Sequence, residues 1–96
     1  MSLSLTDYRS KLITKIMFSN SQEEVKRYID MAMKSLEQHN LNSYIVSRFV
    51  DKILNELESF SPLNQEAQQW SNIKMARIHF NQIKRRSETG PKALNH

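Results

Sequence analysis

The sequence of 96 residues contains no cysteine and only one glycine, Gly90. Without cysteine there is no disulfide, no thiolate zinc site and no cysteine nucleophile, a composition that fits a reducing compartment. Because the one glycine lies near the end, no glycine-rich loop is available to cradle a phosphate or a dinucleotide. Alternating segments rich in Val, Ile and Thr are missing as well, which argues against strands. These absences favour an α-helical protein.

The composition is typical of one globular domain. Hydrophobic residues make up 39% of the chain and charged residues 25%, well away from the disordered class. The start of the sequence has no apolar signal core, and the richest early apolar run, from Leu12 to Phe18, is short and interrupted by Lys15. We therefore expect a cytoplasmic protein without membrane insertion.

Helix start and stop signals define the first half of the chain. Thr6 fits an N-cap, so the first helix is predicted to run from there to about Phe18. Ser21 and Glu24 form the S-x-x-E capping box of a second, clearly amphipathic helix. This helix is predicted to end at Asn40, a residue type that tolerates the left-handed conformation.

The second half of the chain predicts two longer apolar faces. A third helix, capped by Asn42 or Ser43, has apolar residues around about half of its circumference, which predicts a central position. Pro62 signals the start of a fourth helix that runs to about Arg86. Its apolar stripe consists of Leu63, Ala67, Trp70, Ile73, Ala76, Phe80 and Ile83. Its polar residues Gln65, Gln68, Gln69 and Asn72 can pair with adenine edges, but residues of this type more often lie on a solvated surface, which is where we expect them.

Together these signals predict an all-α four-helix bundle with a short first helix and a long fourth helix. The bundle occupies residues 1–86 as a single domain. Residues 87–96 lack periodicity and contain a Gly-Pro breaker, so they are predicted to form a flexible C-terminal tail.

Positive charge is concentrated toward the end of the sequence. Residues 1–73 carry 8 basic and 9 acidic side chains, and residues 74–96 carry 6 and 1, for net charges of −1 and +5. Five cations of the fourth helix, which we call the C-terminal basic group, are the candidate contact for a polyanion or a partner: Lys74, Arg77, Lys84, Arg85 and Arg86.

Three interpretations of this group remain open. The cations can simply complement the helix dipole and solvate an exposed end. They can contact the phosphates of RNA or DNA without recognising sequence, although Tyr44 is the one aromatic residue on a polar face, too little for a stacking platform. They can also contact an acidic protein or an anionic membrane surface.

No residue pattern predicts catalysis, a cofactor or a metal site. His39 is expected to cap the end of the second helix, His79 has no acidic residue three or four positions away, and His96 lies in the tail. Adjacent carboxylates diverge on a helix and cannot share a proton or a metal ion. We therefore expect a protein that is not an enzyme and holds no cofactor.

The functional prediction is a small helical protein-interaction or regulatory module. A protein partner is expected, and a second copy of the chain is one candidate, because four apolar residues lie off the main faces and could gather in a dimer patch: Met31, Leu54, Met75 and Ile78. The alternative is an accessory protein that binds nucleic acid without sequence specificity through the C-terminal basic group.

Overall fold

The computed structural model describes residues 4–93, and it describes side chains from residue 4 to residue 86. Its α-helices are α1 (Leu5–Met17), α2 (Gln22–Gln38), α3 (Ser43–Glu58) and α4 (Ala67–Ala93), with a 3₁₀ turn at Pro62–Asn64 before α4. No strand occurs in residues 4–93. The prediction of an all-α four-helix bundle is confirmed.

The N-terminal cap of α1 differs from the prediction. Ser4, not Thr6, is the cap, and its Oγ accepts a hydrogen bond from the backbone N–H of Asp7 at 3.3 Å. Thr6 lies inside the first turn. The earlier start brings Leu5 onto the helix, where it packs against the core. Serine and threonine can both cap a helix, so the packing of Leu5 against the core favours Ser4 over Thr6 as the cap.

The predicted ends of α2 are confirmed. Ser21 Oγ accepts a hydrogen bond from the N–H of Glu24 at 3.1 Å. The Glu24 carboxylate accepts in return from the N–H of Asn20 at 2.9 Å, one residue earlier than in a standard capping box. Asn40 has a φ of 57°, in the left-handed region, and stops the helix. Asn42 then caps α3, since its Oδ1 accepts from the N–H of Ile45 at 2.9 Å.

The predicted start of the fourth helix at Pro62 is wrong. Pro62 opens only a single 3₁₀ turn, after which Gln65 has an extended backbone with φ −124° and ψ 145°, and α4 begins at Ala67. Leu63, expected on the apolar stripe, is 92% exposed. The helix continues past Arg86 to Ala93. Residues 94–96 lie outside the described residues, and a flexible tail at 87–96 stays a prediction.

The central helices are α1 and α4, not α3. Each of these two helices packs against the three others. Of all helix pairs, α2 and α3 contact each other least. Gln22 bonds Ser71 and Asp30 bonds His79, so α2 and α4 run in the same direction. The largest fully buried apolar side chains come from all four helices: Ile16, Val25, Ile29, Leu36, Ile53, Leu57, Ile73 and Phe80.

Although α1 is short, it contacts all three other helices with one part of its surface. Its 13 residues span about 20 Å. Leu12, Ile13 and Ile16 are buried between the other helices. The outer side of α1 faces solvent, and a concave surface lies on each flank, one toward α2 and one toward α3.

Candidate interaction surface

Of the two concave surfaces beside α1, the groove between α1 and α2 is the more apolar candidate surface. It encloses about 310 Å³. Leu12 and Ala32 are buried at its floor, and the rings of Tyr8 and Tyr28 are partly buried in its walls. Met31 lies at its edge with 60% of its surface exposed. The groove therefore offers an aromatic and thioether surface of the kind that adapts to an apolar partner.

Both walls of this groove use the same helical spacing. The α1 wall consists of Tyr8, Lys11, Leu12 and Lys15, and the α2 wall of Tyr28, Met31, Ala32 and Ser35. Each set follows positions i, i+3, i+4 and i+7, which lie on one side of a helix. The groove is thus about two helical turns long, or roughly 10 Å.

The charge of the groove is positive. Lys11 and Lys15 stand on its α1 side, and none of its eight lining residues is acidic. The Lys15 Nζ lies 5.4 Å from the centroid of the Tyr28 ring, a cation–π contact that places an ammonium group above the groove. A carboxylate inside this groove therefore meets two cations and no acidic side chain of the lining.

Sequence analysis missed this groove for a simple reason. In the sequence, Tyr28 is one apolar residue of an amphipathic helix, and Met31 lies off the main face of that helix. Neither residue indicates a site until α1 packs beside α2 and places Tyr8 opposite them. The position of the apolar Met31 off the main face of the second helix was the signal available in the sequence.

The C-terminal basic group is divided between two edges of α4. Lys84 faces α3, where its Nζ lies 2.9 Å from Oδ1 of Asp51. Arg85 and Arg86 border a shallow hollow that His79 also lines, on the side toward α2.

The two earlier members of this group lie nearer the middle of α4. Lys74 is exposed and Arg77 is partly buried. The backbone carbonyl of Arg77 accepts a hydrogen bond from Nδ2 of Asn81 at 2.9 Å. Whether any of the five cations binds a polyanion or a partner stays a prediction.

The four apolar residues that could gather in a dimer patch do not all lie on the surface. Leu54 is buried, and Met75 packs against the core. Met31 and Ile78 are exposed, but they lie on different helices. The packing of the helices against one another covers Met75 and Leu54, so these two residues are not available for a dimer patch.

Asn72, expected on a solvated surface, is fully buried with an exposure of 0%. Its Nδ2 donates to the backbone carbonyls of Ser19 at 2.8 Å and Met17 at 3.3 Å, and its Oδ1 accepts from Nε2 of Gln68 at 2.9 Å. Carbonyls at the end of a helix have no partner within the helix. Asn72 supplies one and thereby fixes the end of α1 against α4.

A second buried polar contact joins α2 to α4. His79 is buried, and its Nε2 lies 2.8 Å from Oδ1 of Asp30, whose carboxylate is largely exposed. The imidazole N–H donates to this carboxylate. The sequence does not reveal this pair, because the two residues are 49 positions apart and lie on different helices. The contact positions two helices and needs no substrate to explain it.

The remaining histidine of the described region has the structural role that was predicted. His39 is the C-cap of α2, and its Nδ1 donates to the carbonyl of Ser35 at 2.8 Å. His96 lies outside the described residues. Across the side chains the structure describes, no group of three His, Asp or Glu residues is arranged to hold a metal ion.

The chain matches no protein-family model, no curated protein and no solved structure. Over residues 4–93, no helix combines the length and the apolar composition that a bilayer-spanning segment needs.

Proposed function

We propose that this protein is a non-enzymatic interaction module that binds an acidic amphipathic helix of a partner protein in the groove between α1 and α2. The observation that carries the proposal is the composition of this groove: two tyrosines and an exposed methionine with two lysines and no carboxylate. Docking of an amphipathic helix into a groove between two helices is a common mode of peptide recognition.

The apolar part of the groove supplies the affinity. A docked helix would cover the exposed thioether of Met31 and the remaining exposed parts of Tyr8 and Tyr28. Tyrosine and methionine are enriched at protein interfaces because they bury a large area and adapt to their partner. A groove two turns long accommodates apolar side chains at positions i, i+4 and i+7 of the docked helix.

The charge of the groove supplies the selectivity. A second copy carries a net charge of +4 that is concentrated in residues 74–96, so docking of that end would add positive charge to a groove that already holds Lys11 and Lys15. An acidic helix meets no such repulsion, and its carboxylates gain the two ammonium groups as partners. A partner of opposite charge therefore fits better than a second copy.

A pair of synthetic helical peptides tests this proposal. Both carry leucine at positions i, i+4 and i+7, and they differ only in their flanking residues, which are glutamate in one and lysine in the other. Backbone amide NMR signals of Tyr8, Tyr28 and Met31 should shift with the acidic peptide and stay in place with the basic one. No shift with the acidic peptide, or shifts confined to another surface, would contradict the proposal.

Two matched variants locate the contact. Met31→Ala should weaken binding of the acidic peptide about fivefold or more, the effect of truncating an interface residue worth about 1 kcal/mol. Ile78→Ala removes a similarly exposed apolar side chain from α4 and should leave binding unchanged. Equal effects of the two variants would place the docked helix outside the groove.

Nucleic-acid binding without sequence specificity is the second candidate function. Lys74 and Arg86 are exposed on α4, as a contact to phosphates requires. The division of the C-terminal basic group between two edges of the helix makes this candidate weaker. Retention on a single-stranded polyanion that falls steeply with salt, and that Lys74→Ala/Arg86→Ala reduces, would support it. No retention at low salt would remove it.

We also propose that the protein acts in the cytoplasm. The absence of cysteine is compatible with a reducing compartment and supports this assignment. Fractionation of cells that express the tagged full-length protein tests it. Recovery with the cytosolic markers is expected, and recovery with secreted or membrane fractions would contradict it.

A further inference from the structure

A second concave surface, on the other flank of α1, has a different chemistry from the groove. It lies between α1 and α3 and encloses about 260 Å³. Its polar lining consists of five side chains that can donate hydrogen bonds: Thr6, Arg9, Tyr44, Arg48 and Lys52. No carboxylate lines it. The pocket therefore presents donors and positive charge from two helices toward one volume.

The net charge around this pocket can be counted from its contacts. Arg9, Arg48 and Lys52 contribute three positive charges, and Glu56, which forms an ion pair with Arg9 just outside the lining, contributes one negative charge. Among the described side chains, no carboxylate forms an ion pair with Arg48 or Lys52. The excess of about two positive charges matches the charge of about −1.5 to −2 that a phosphomonoester carries at neutral pH.

The rest of the pocket is apolar and aromatic. Leu5, Ile45 and Phe49 provide its apolar surface, and Phe49 is buried. Tyr44 stands at the edge of the pocket, and 66% of this residue is exposed. Arg48 is held beside this ring, 5.8 Å from the centroid, and its Nη1 donates to the Tyr44 hydroxyl at 3.3 Å. An aromatic ring with an adjacent guanidinium is suited to stacking against a planar group.

We infer that the pocket between α1 and α3 binds a small phosphomonoester that is attached to a planar ring, the chemistry of a mononucleotide. Arg48 and Lys52 bind the phosphate, and Tyr44 stacks on the ring. A volume of about 260 Å³ lies just below the range of roughly 300–1,000 Å³ of pockets that hold drug-sized molecules, so the ligand is small. The inference is independent of the proposed function, because the peptide groove lies on the opposite flank of α1.

A charge series of ligands with one base tests this inference by NMR titration of the full chain. Adenosine is neutral, cyclic adenosine monophosphate carries one negative charge, and adenosine monophosphate carries about two. Affinity should rise in that order, with shifts at Tyr44, Arg48 and Lys52. Inorganic phosphate, which has no ring, should bind more weakly than adenosine monophosphate. Equal affinity across the series, or phosphate binding as tightly as adenosine monophosphate, would overturn the inference.

Charge-neutral variants of similar length identify the cations involved. The double variant Arg48→Met/Lys52→Met should weaken binding of adenosine monophosphate about tenfold or more, because it removes two charge-assisted contacts. Lys34→Met removes an exposed charge from α2 and should leave the affinity unchanged. Equal effects of these variants, or ligand-induced shifts centred on the C-terminal basic group, would show that the pocket is not the site. Circular dichroism of each variant confirms that it is folded.

Discussion

Removal of the Asn72 side chain tests most sharply how the helices are held together. This residue is fully buried, and its carboxamide bonds two carbonyls at the end of α1 and the side chain of Gln68. Asn72→Ala leaves the carbonyl of Ser19 without its partner in a buried position and opens a small cavity. An unsatisfied buried group costs about 1–3 kcal/mol, and the cavity adds to this.

We expect Asn72→Ala to lower the free energy of unfolding by about 2–4 kcal/mol, a large part of the roughly 5–15 kcal/mol typical of a natural domain. For a domain of this size, this corresponds to a decrease in Tm of about 10–25 °C. Urea and thermal denaturation, followed by circular dichroism, measure both quantities. Gln68→Ala, which removes only one of the three hydrogen bonds, should cost about 0.5–1.5 kcal/mol and remain folded even if Asn72→Ala does not.

Asn81→Ala is the matched control. Asn81 lies on the same helix, is exposed and bonds only the carbonyl of Arg77 one turn earlier. Its removal should change stability by no more than about 0.5 kcal/mol. If Asn72→Ala and Asn81→Ala had the same small effect, the buried carboxamide would not fix α1 against α4 and the description of this junction would be wrong.

Three further predictions follow from the packing. Phe49→Ala should lower the free energy of unfolding by about 3–5 kcal/mol, because Phe49 is buried and its ring centroid lies 6.1 Å from that of Tyr8. Lys84→Ala, which removes a surface ion pair, should lower it by at most about 1 kcal/mol. Similar melting curves for the two variants would contradict this prediction. The backbone of Asn40 has a φ of 57°, a conformation that glycine adopts more easily than alanine. Asn40→Ala should therefore lower the free energy of unfolding by about 0.5–1 kcal/mol, and Asn40→Gly should leave it unchanged or raise it. The reverse order of stability in urea denaturation would refute the assigned helix end. Light scattering at several concentrations should give the monomer mass of 11.3 kDa. A doubled mass would show that a second copy of the chain binds to an exposed surface.

The sequence alone predicted those features that depend on neighbours along the chain. The N-cap at Ser21 and the left-handed Asn40 are local, and the structure confirms both. The start of α4 could not be located in this way, because Ser61 and Pro62 are equally compatible with a 3₁₀ turn and with an α-helix. Neither residue is buried in the structure, so the pattern of core positions gives no further guide to this start.

The functional surfaces were less predictable because each one combines residues from two helices. Neither the groove of Tyr8 and Tyr28 nor the pocket of Arg9 and Arg48 can be seen on a single helical face. Polar residues were misassigned for the same reason: Asn72 follows the periodicity of a core position, but its residue type suggested solvent. Periodicity was the better guide there, since a buried carboxamide is acceptable where it meets unpaired carbonyls.

Charge reversal in the groove is the most direct test of the proposed function. The variant Lys11→Glu/Lys15→Glu and its control Lys74→Glu/Arg86→Glu, on the exposed surface of α4, change the total charge equally. The Kd of each protein for the acidic and the basic peptide is measured by fluorescence anisotropy. The wild-type protein and the control should prefer the acidic peptide, and Lys11→Glu/Lys15→Glu should prefer the basic one. If all three proteins showed the same preference, the groove between α1 and α2 would not be the binding surface.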